Sequence, residues 1–115
     1  MTKKFQVPIL QVSVVVVVAA KTRPAIRRHF PHLKLSDVFG DGYEACCCYR
    51  RSRFGLFFEP QALKRPDIVA HEIFHLTHRI LEFRECNFDE SHHEMAAMLN
   101  GWLTREVGKI LKPLI

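Results

Sequence analysis

Five consecutive valines, Val14 to Val18, constrain this chain more than any other stretch. Written as a strand, residues 10–20 place Val12, Val14, Val16 and Val18 on one face and Val15, Val17 and Ala19 on the other. Both faces are apolar, so the strand must lie inside a sheet and be covered by further layers on both sides. β-Branched side chains favour that strand over a helix. A chain of 115 residues has material for one such core, so residues 1–115 are read as a single domain.

The remaining elements follow from changes of period. Residues 22–32 form a short helix, with Pro24 near its start. Phe39-Gly40-Asp41-Gly42 is turn chemistry. Residues 43–50 and 54–59 alternate as two strands around the polar Arg51-Ser52-Arg53, which makes a β-hairpin. From residue 67 to about 84 the period becomes helical, with Val69, Ile73, Leu76, Ile80 and Phe83 on one stripe. A second long helix begins near Asp89 or Ser91 and runs to Leu111, burying Met95, Leu99, Leu103 and Val107. The expected fold is α+β: a small mixed or antiparallel sheet with a hairpin, a short N-terminal helix and two packed C-terminal helices.

Charge and cysteine usage narrow the function classes. Seventeen Lys and Arg against twelve Asp and Glu give a formal +5, which favours weak association with anions such as nucleic acid. The cations gather at Arg23/Arg27/Arg28 and at Arg50/Arg51/Arg53, without the spacing of an RNA-binding sheet or a zinc finger, and are read as solvated surface. Three of the four cysteines are adjacent (Cys46, Cys47, Cys48), a placement that strains bridging and fits reduced, buried thiols in a cytoplasmic protein. Lys3 and Lys4 before an apolar run have the outline of a leader peptide, but Pro8 and Gln11 interrupt it. No apolar run reaches the length of a membrane span.

The sharpest chemical signal is His71-Glu72-Ile73-Phe74-His75, an HExxH sequence inside the first long helix. Residues i and i+4 share a face, so both imidazoles can reach one zinc ion, while Glu72 is offset and can address a water on that metal. With seven His and eight Glu in the chain, chance placement gives about 0.03 such matches. A catalytic zinc takes a third protein ligand. The next helix opens with Asp89, Glu90, His92, His93 and Glu94. Glu94 is followed on its own face by Ala97, Met98 and Gly101, small or flexible groups that permit close approach; Glu90, His92 and His93 are the alternatives. Ser91-x-x-Glu94 also has the form of a capping box, which would tie Glu94 to the helix start unless Asp89 supplies the cap.

HExxH, a Glu in a second helix with eighteen residues between it and His75, and a hairpin before the first helix resemble the gluzincin zinc metallopeptidases, and in size the minigluzincins. Residues 71–104 are similar to short HExxH proteins encoded by phages and prophages. The resemblance implies that His71, His75 and Glu94 hold zinc, that Glu72 is the general base and acid of peptide hydrolysis, and that the strand at residues 54–59 is the edge along which a peptide pairs. Some larger gluzincins carry an acidic residue where Met98 stands here, and a second domain that supplies an oxyanion group. In this chain Tyr43, Tyr49, His78 or His93 would have to fill that role, and His78 reads as a group beside the metal ligands rather than a fourth ligand. Two rival readings are a non-catalytic zinc-binding protein and a basic protein associated with nucleic acid.

Overall fold

The computed structural model describes residues 1–34, 44–86 and 89–115. The turn expected at residues 39–42 and Tyr43 lie outside them. Four strands form one mixed sheet: β1 (Thr2–Val7), β2 (Val12–Val18), β3 (Ala45–Arg50) and β4 (Arg53–Phe58), in the order β1-β2-β4-β3. One helix, α1 (Thr22–His29), covers one face; α2 (Pro66–Phe83) and α3 (His93–Leu111) cover the other. The fold is α+β, as expected. Among the described residues no helix is long and apolar enough to cross a membrane.

The valine run is the interior strand that its two apolar faces require. β2 pairs antiparallel with β1 and parallel with β4. Val12, Val14 and Val16 enter the core under α2 and α3, and Val15 and Val17 the smaller core under α1. β1 is an element that sequence patterning did not single out, because Thr2, Lys3, Lys4 and Gln6 mask its alternation. The Pro8 and Gln11 that interrupt the apolar run sit in the turn joining β1 to β2. Ile9 there has φ 70°, and the Leu10 amide donates to the Pro8 carbonyl at 2.7 Å, a tight γ-turn. The Arg84 guanidinium holds that turn from the end of α2, donating to the carbonyls of Leu10 at 2.6 Å and Gln11 at 3.0 Å.

Between α1 and the sheet the chain has no room for a side chain at Gly55. A Cβ there would stand 2.5 Å from Phe57 Cε2 and 2.8 Å from Phe30 Cε2. Both rings are fully enclosed. Gly55→Ala is therefore expected to destabilise by about 1–3 kcal/mol, the usual range for overpacking. Urea unfolding should show a lower midpoint with an unchanged slope; an unchanged midpoint would mean that the two rings can yield.

The hairpin corrects one expectation. β4 lies between β2 and β3, with both sides of its ladder paired, so the strand assigned to residues 54–59 is not an edge. Its composition explains this: Phe54, Leu56 and Phe58 bury on one face and Phe57 on the other, the same two-sided burial that places β2 inside. The edge beside α2 is β3.

Pro66 opens α2, where its fixed φ suits the first turn and its missing N–H would have had no helical partner. Asp67 in that turn complements the helix dipole. At the far end Glu85 takes a left-handed φ of 59°, and the Cys86 amide returns to the Leu81 carbonyl at 2.8 Å, closing the helix. α3 packs against α2 through buried Leu99, Leu103 and Val107, and the Thr77 hydroxyl bridges the Ile73 carbonyl and the Asn100 side-chain amide, 2.9 Å from each.

Candidate metal centre

The HExxH segment is helical throughout, and the i, i+4 spacing does what helix geometry requires. The Nε2 atoms of His71 and His75 stand 3.0 Å apart, with the rings steeply inclined at 78°. Two nitrogen ligands of one tetrahedral zinc ion are separated by about 3.3 Å, so small side-chain adjustments suffice for this pair to take the ion. His71 is exposed and His75 half-buried, on the side of α2 turned away from the sheet. Burial, then the neighbouring His71, Arg79 and His78, hold the His75 imidazole below its ordinary pKa. That keeps it neutral, as a metal ligand must be.

Glu72 points elsewhere. Its offset of one residue turns it toward β3, where it is 8 % exposed. Burial raises its carboxyl above the ordinary carboxylate pKa, and the adjacent His71 acts in the opposite direction. It borders a cleft of about 450 Å³ lined by Glu44, Ala45, Arg65, Asp67, Ile68 and His71. The cleft thus runs from the first turn of α2 to the start of the edge strand. A partly desolvated carboxylate beside a paired-histidine site and an open cleft is the placement general-base chemistry uses.

β3 has usable backbone on its outer side, and Ala45 brings it to that cleft. The Glu59 amide donates to the Glu44 carbonyl at 2.7 Å, and ladder groups alternate along a strand, so the main-chain groups of Ala45, Cys47 and Tyr49 point away from β4. Among the described residues no strand pairs with that outer side. α2 lies along this strand: the Glu72 charge reaches Cys46 and Cys47, and the Arg79 guanidinium carbon stands 5.9 Å from the Tyr49 ring centre.

The thiols of β3 are not nucleophiles. All four cysteines are unbridged, with Cys46 and Cys48 in the core under α1 and Cys47 turned toward α2. Burial foremost, then the Glu72 charge, pushes Cys46 up to about 12, and burial raises Cys47 and Cys48 as well. Such groups stay protonated and inert at neutral pH.

The start of the last helix resolves the capping question. The Asp89 carboxylate accepts the His92 amide at 3.1 Å and the Ser91 hydroxyl at 2.6 Å, capping the short 3₁₀ turn Glu90–His92 that leads into α3. These hydrogen bonds, the Ser91 one first, hold the Asp89 carboxyl below its ordinary pKa. Glu94 sits exposed in the first turn of α3. The groove between the helices, about 430 Å³, is lined by Glu90 and His93 rather than Glu94, together with Phe74 and Thr77. On the helical wheel Phe74 lies between the histidine row and Thr77, and it is 54 % exposed. The structure therefore joins His71 with His75 and does not bring Glu94, Glu90, His92 or His93 to them; among the described residues no three His, Cys, Asp or Glu side chains form a metal-holding group.

Of the residues considered for an oxyanion role, Tyr49 stacks on Phe54 with ring centres 5.4 Å apart, and His78 is close enough to His75 to affect its titration. The outer edge of β3 was not identified from sequence, because inner and edge strands of a hairpin are distinguished only by what pairs beside them. Comparison with protein-family models, with curated proteins and with solved structures finds no match.

Proposed function

We propose that this chain is a minimal zinc-dependent peptide hydrolase of the gluzincin kind, acting in the cytoplasm. The observation that carries the reading is the joint placement of His71 and His75, nitrogen to nitrogen at 3.0 Å, with buried Glu72 beside them on the cleft and a strand edge that no strand among the described residues pairs. His71 and His75 would hold the zinc; Glu94, left outside the cap by Asp89 but not brought to the pair in this structure, would have to swing in as the third ligand. When bound, zinc supplies Lewis acidity and lowers the pKa of water toward 7.

The chain's own groups do the rest. The outward amides and carbonyls of Ala45, Cys47 and Tyr49 hold an extended peptide by strand addition, which sets its register without reading every side chain. The Glu72 carboxylate takes a proton from the attacking water and returns it to the departing amine. Its desolvation brings its proton affinity closer to that of the groups it serves. Four unbridged cysteines support a reducing compartment.

A peptide library incubated with zinc-replete protein tests the reading. Cleavage should appear at neutral pH, vanish with a strong chelator and return with added zinc. If zinc-loaded protein cleaves nothing, the non-catalytic zinc-binding reading replaces this one.

The ligand assignment has its own test. Glu94→Ala should lower zinc affinity far more than Glu90→Ala, in a competition titration against a coloured chelator. Equal affinities in the two variants would reject Glu94 as the third ligand.

A further inference from the structure

Arginines from the two clusters that are separate in sequence meet on one surface in the fold. Strand alternation puts Lys4, Arg50 and Arg53 on the face of the sheet that α1 covers, since their face-mates Val15, Cys48 and Phe57 form the core beneath that helix. The end of α1 brings Arg27 and Arg28 to the same place. Arg53 ties the pieces together: its Nη2 donates to the His29 carbonyl at 3.1 Å, and its guanidinium carbon stands 5.1 Å over the Phe30 ring. His29 senses three of these cations, with its pKa lowered by burial first and then by Lys4, Arg28 and Arg53. Residues 1–34 contain seven Lys and Arg and no Asp or Glu. Glu59 meets α1 at the helix's other end, accepting from the Thr22 amide at 3.3 Å.

We propose that this basic face, on the opposite side of the sheet from the histidine pair, binds the phosphate backbone of duplex nucleic acid without reading its sequence. Arginine predominates, and its planar fork matches phosphate oxygens. Lys4, Arg27, Arg28, Arg50 and Arg53 are all exposed. A lipid surface is the poorer partner, because a helix that lies on a membrane needs an apolar face to insert. The apolar residues of α1, Ala25 and Ile26, are already buried against the sheet. Sequence readout is excluded by the same packing: an eight-residue helix held flat on a sheet cannot enter a groove, and phosphate contacts position without specifying. This inference goes beyond the hydrolase reading and does not depend on it.

Fluorescence anisotropy with a labelled random-sequence duplex of about 20 base pairs tests it. About four neutralised phosphates should make affinity fall about 100-fold between roughly 50 and 200 mM salt. The pair Arg28→Glu with Arg50→Glu, one residue from each cluster, should weaken binding at least about tenfold and flatten the salt dependence. The control pair Lys64→Glu with Lys112→Glu, in the opposite layer, changes net charge equally and should cost less than about threefold. Should charge reversal impair folding, Arg28→Gln with Arg50→Gln, set against Lys64→Gln with Lys112→Gln, gives the same comparison, with an expected loss of about fivefold. No binding at low salt, equal losses in the basic-face and control pairs, or tighter binding to phosphatidylserine vesicles than to the duplex would each overturn the proposal.

Discussion

Glu72→Gln is expected to lower peptide turnover by about 10²–10⁴-fold, the usual contribution of a positioned general base. Carboxylate and amide have nearly the same shape, so the variant keeps the contacts of Glu72 with the cleft and with β3 while losing the capacity to accept a proton. Glu72 addresses the cleft rather than the point where the two imidazole nitrogens meet, so zinc content should not change. Stability should hold or rise slightly, because the substitution removes a desolvated charge. Turnover, zinc content and melting temperature measured on the same preparations separate these effects. Equal turnover in variant and wild type would remove Glu72 from the mechanism, and loss of zinc together with turnover would make it a ligand instead.

His71→Ala is expected to cost more than about 100-fold in zinc affinity, beyond the loss typical of a group that only supports a ligand. The argument is geometric. One imidazole on an exposed helix face cannot hold the ion by itself, and His71 and His75 are the two nitrogens that the fold places within 3.0 Å of each other. Because His71 is exposed, the substitution removes no core packing, and unfolding of the metal-free proteins should be nearly the same. Competition against a chelator of known affinity gives the comparison. A loss no larger than that of a surface histidine such as His32 would show that the pair is not the metal centre.

How much of this was legible beforehand depended on whether a residue's partner is local. The valine run carries its environment in its own pattern, so an interior position for β2 follows from the residues alone. HExxH carries its geometry through helix spacing, so the meeting of His71 and His75 needed no tertiary information. β1 was missed because its inward residues, Phe5 and Val7, are outweighed by polar neighbours, and its stability comes from pairing with Val12–Val18. The resemblance makes residues 54–59 the edge, and the residues themselves do not contradict it because β3 and β4 are both apolar; only the parallel pairing with β2 decides which is inner. The union of the two arginine clusters rests on contacts such as Arg53 with the His29 carbonyl, 24 residues apart, which no local pattern encodes. Capping lay between these cases, since Asp89 and Ser91 were both competent caps and the hydrogen bonds select Asp89.

Zinc content of the purified, untreated protein bears most directly on the hydrolase reading. Elemental analysis of zinc-replete wild-type chain should find about one zinc per molecule, and His71→Ala prepared in parallel should find almost none. Wild type without zinc, or His71→Ala retaining as much zinc as wild type, would contradict it.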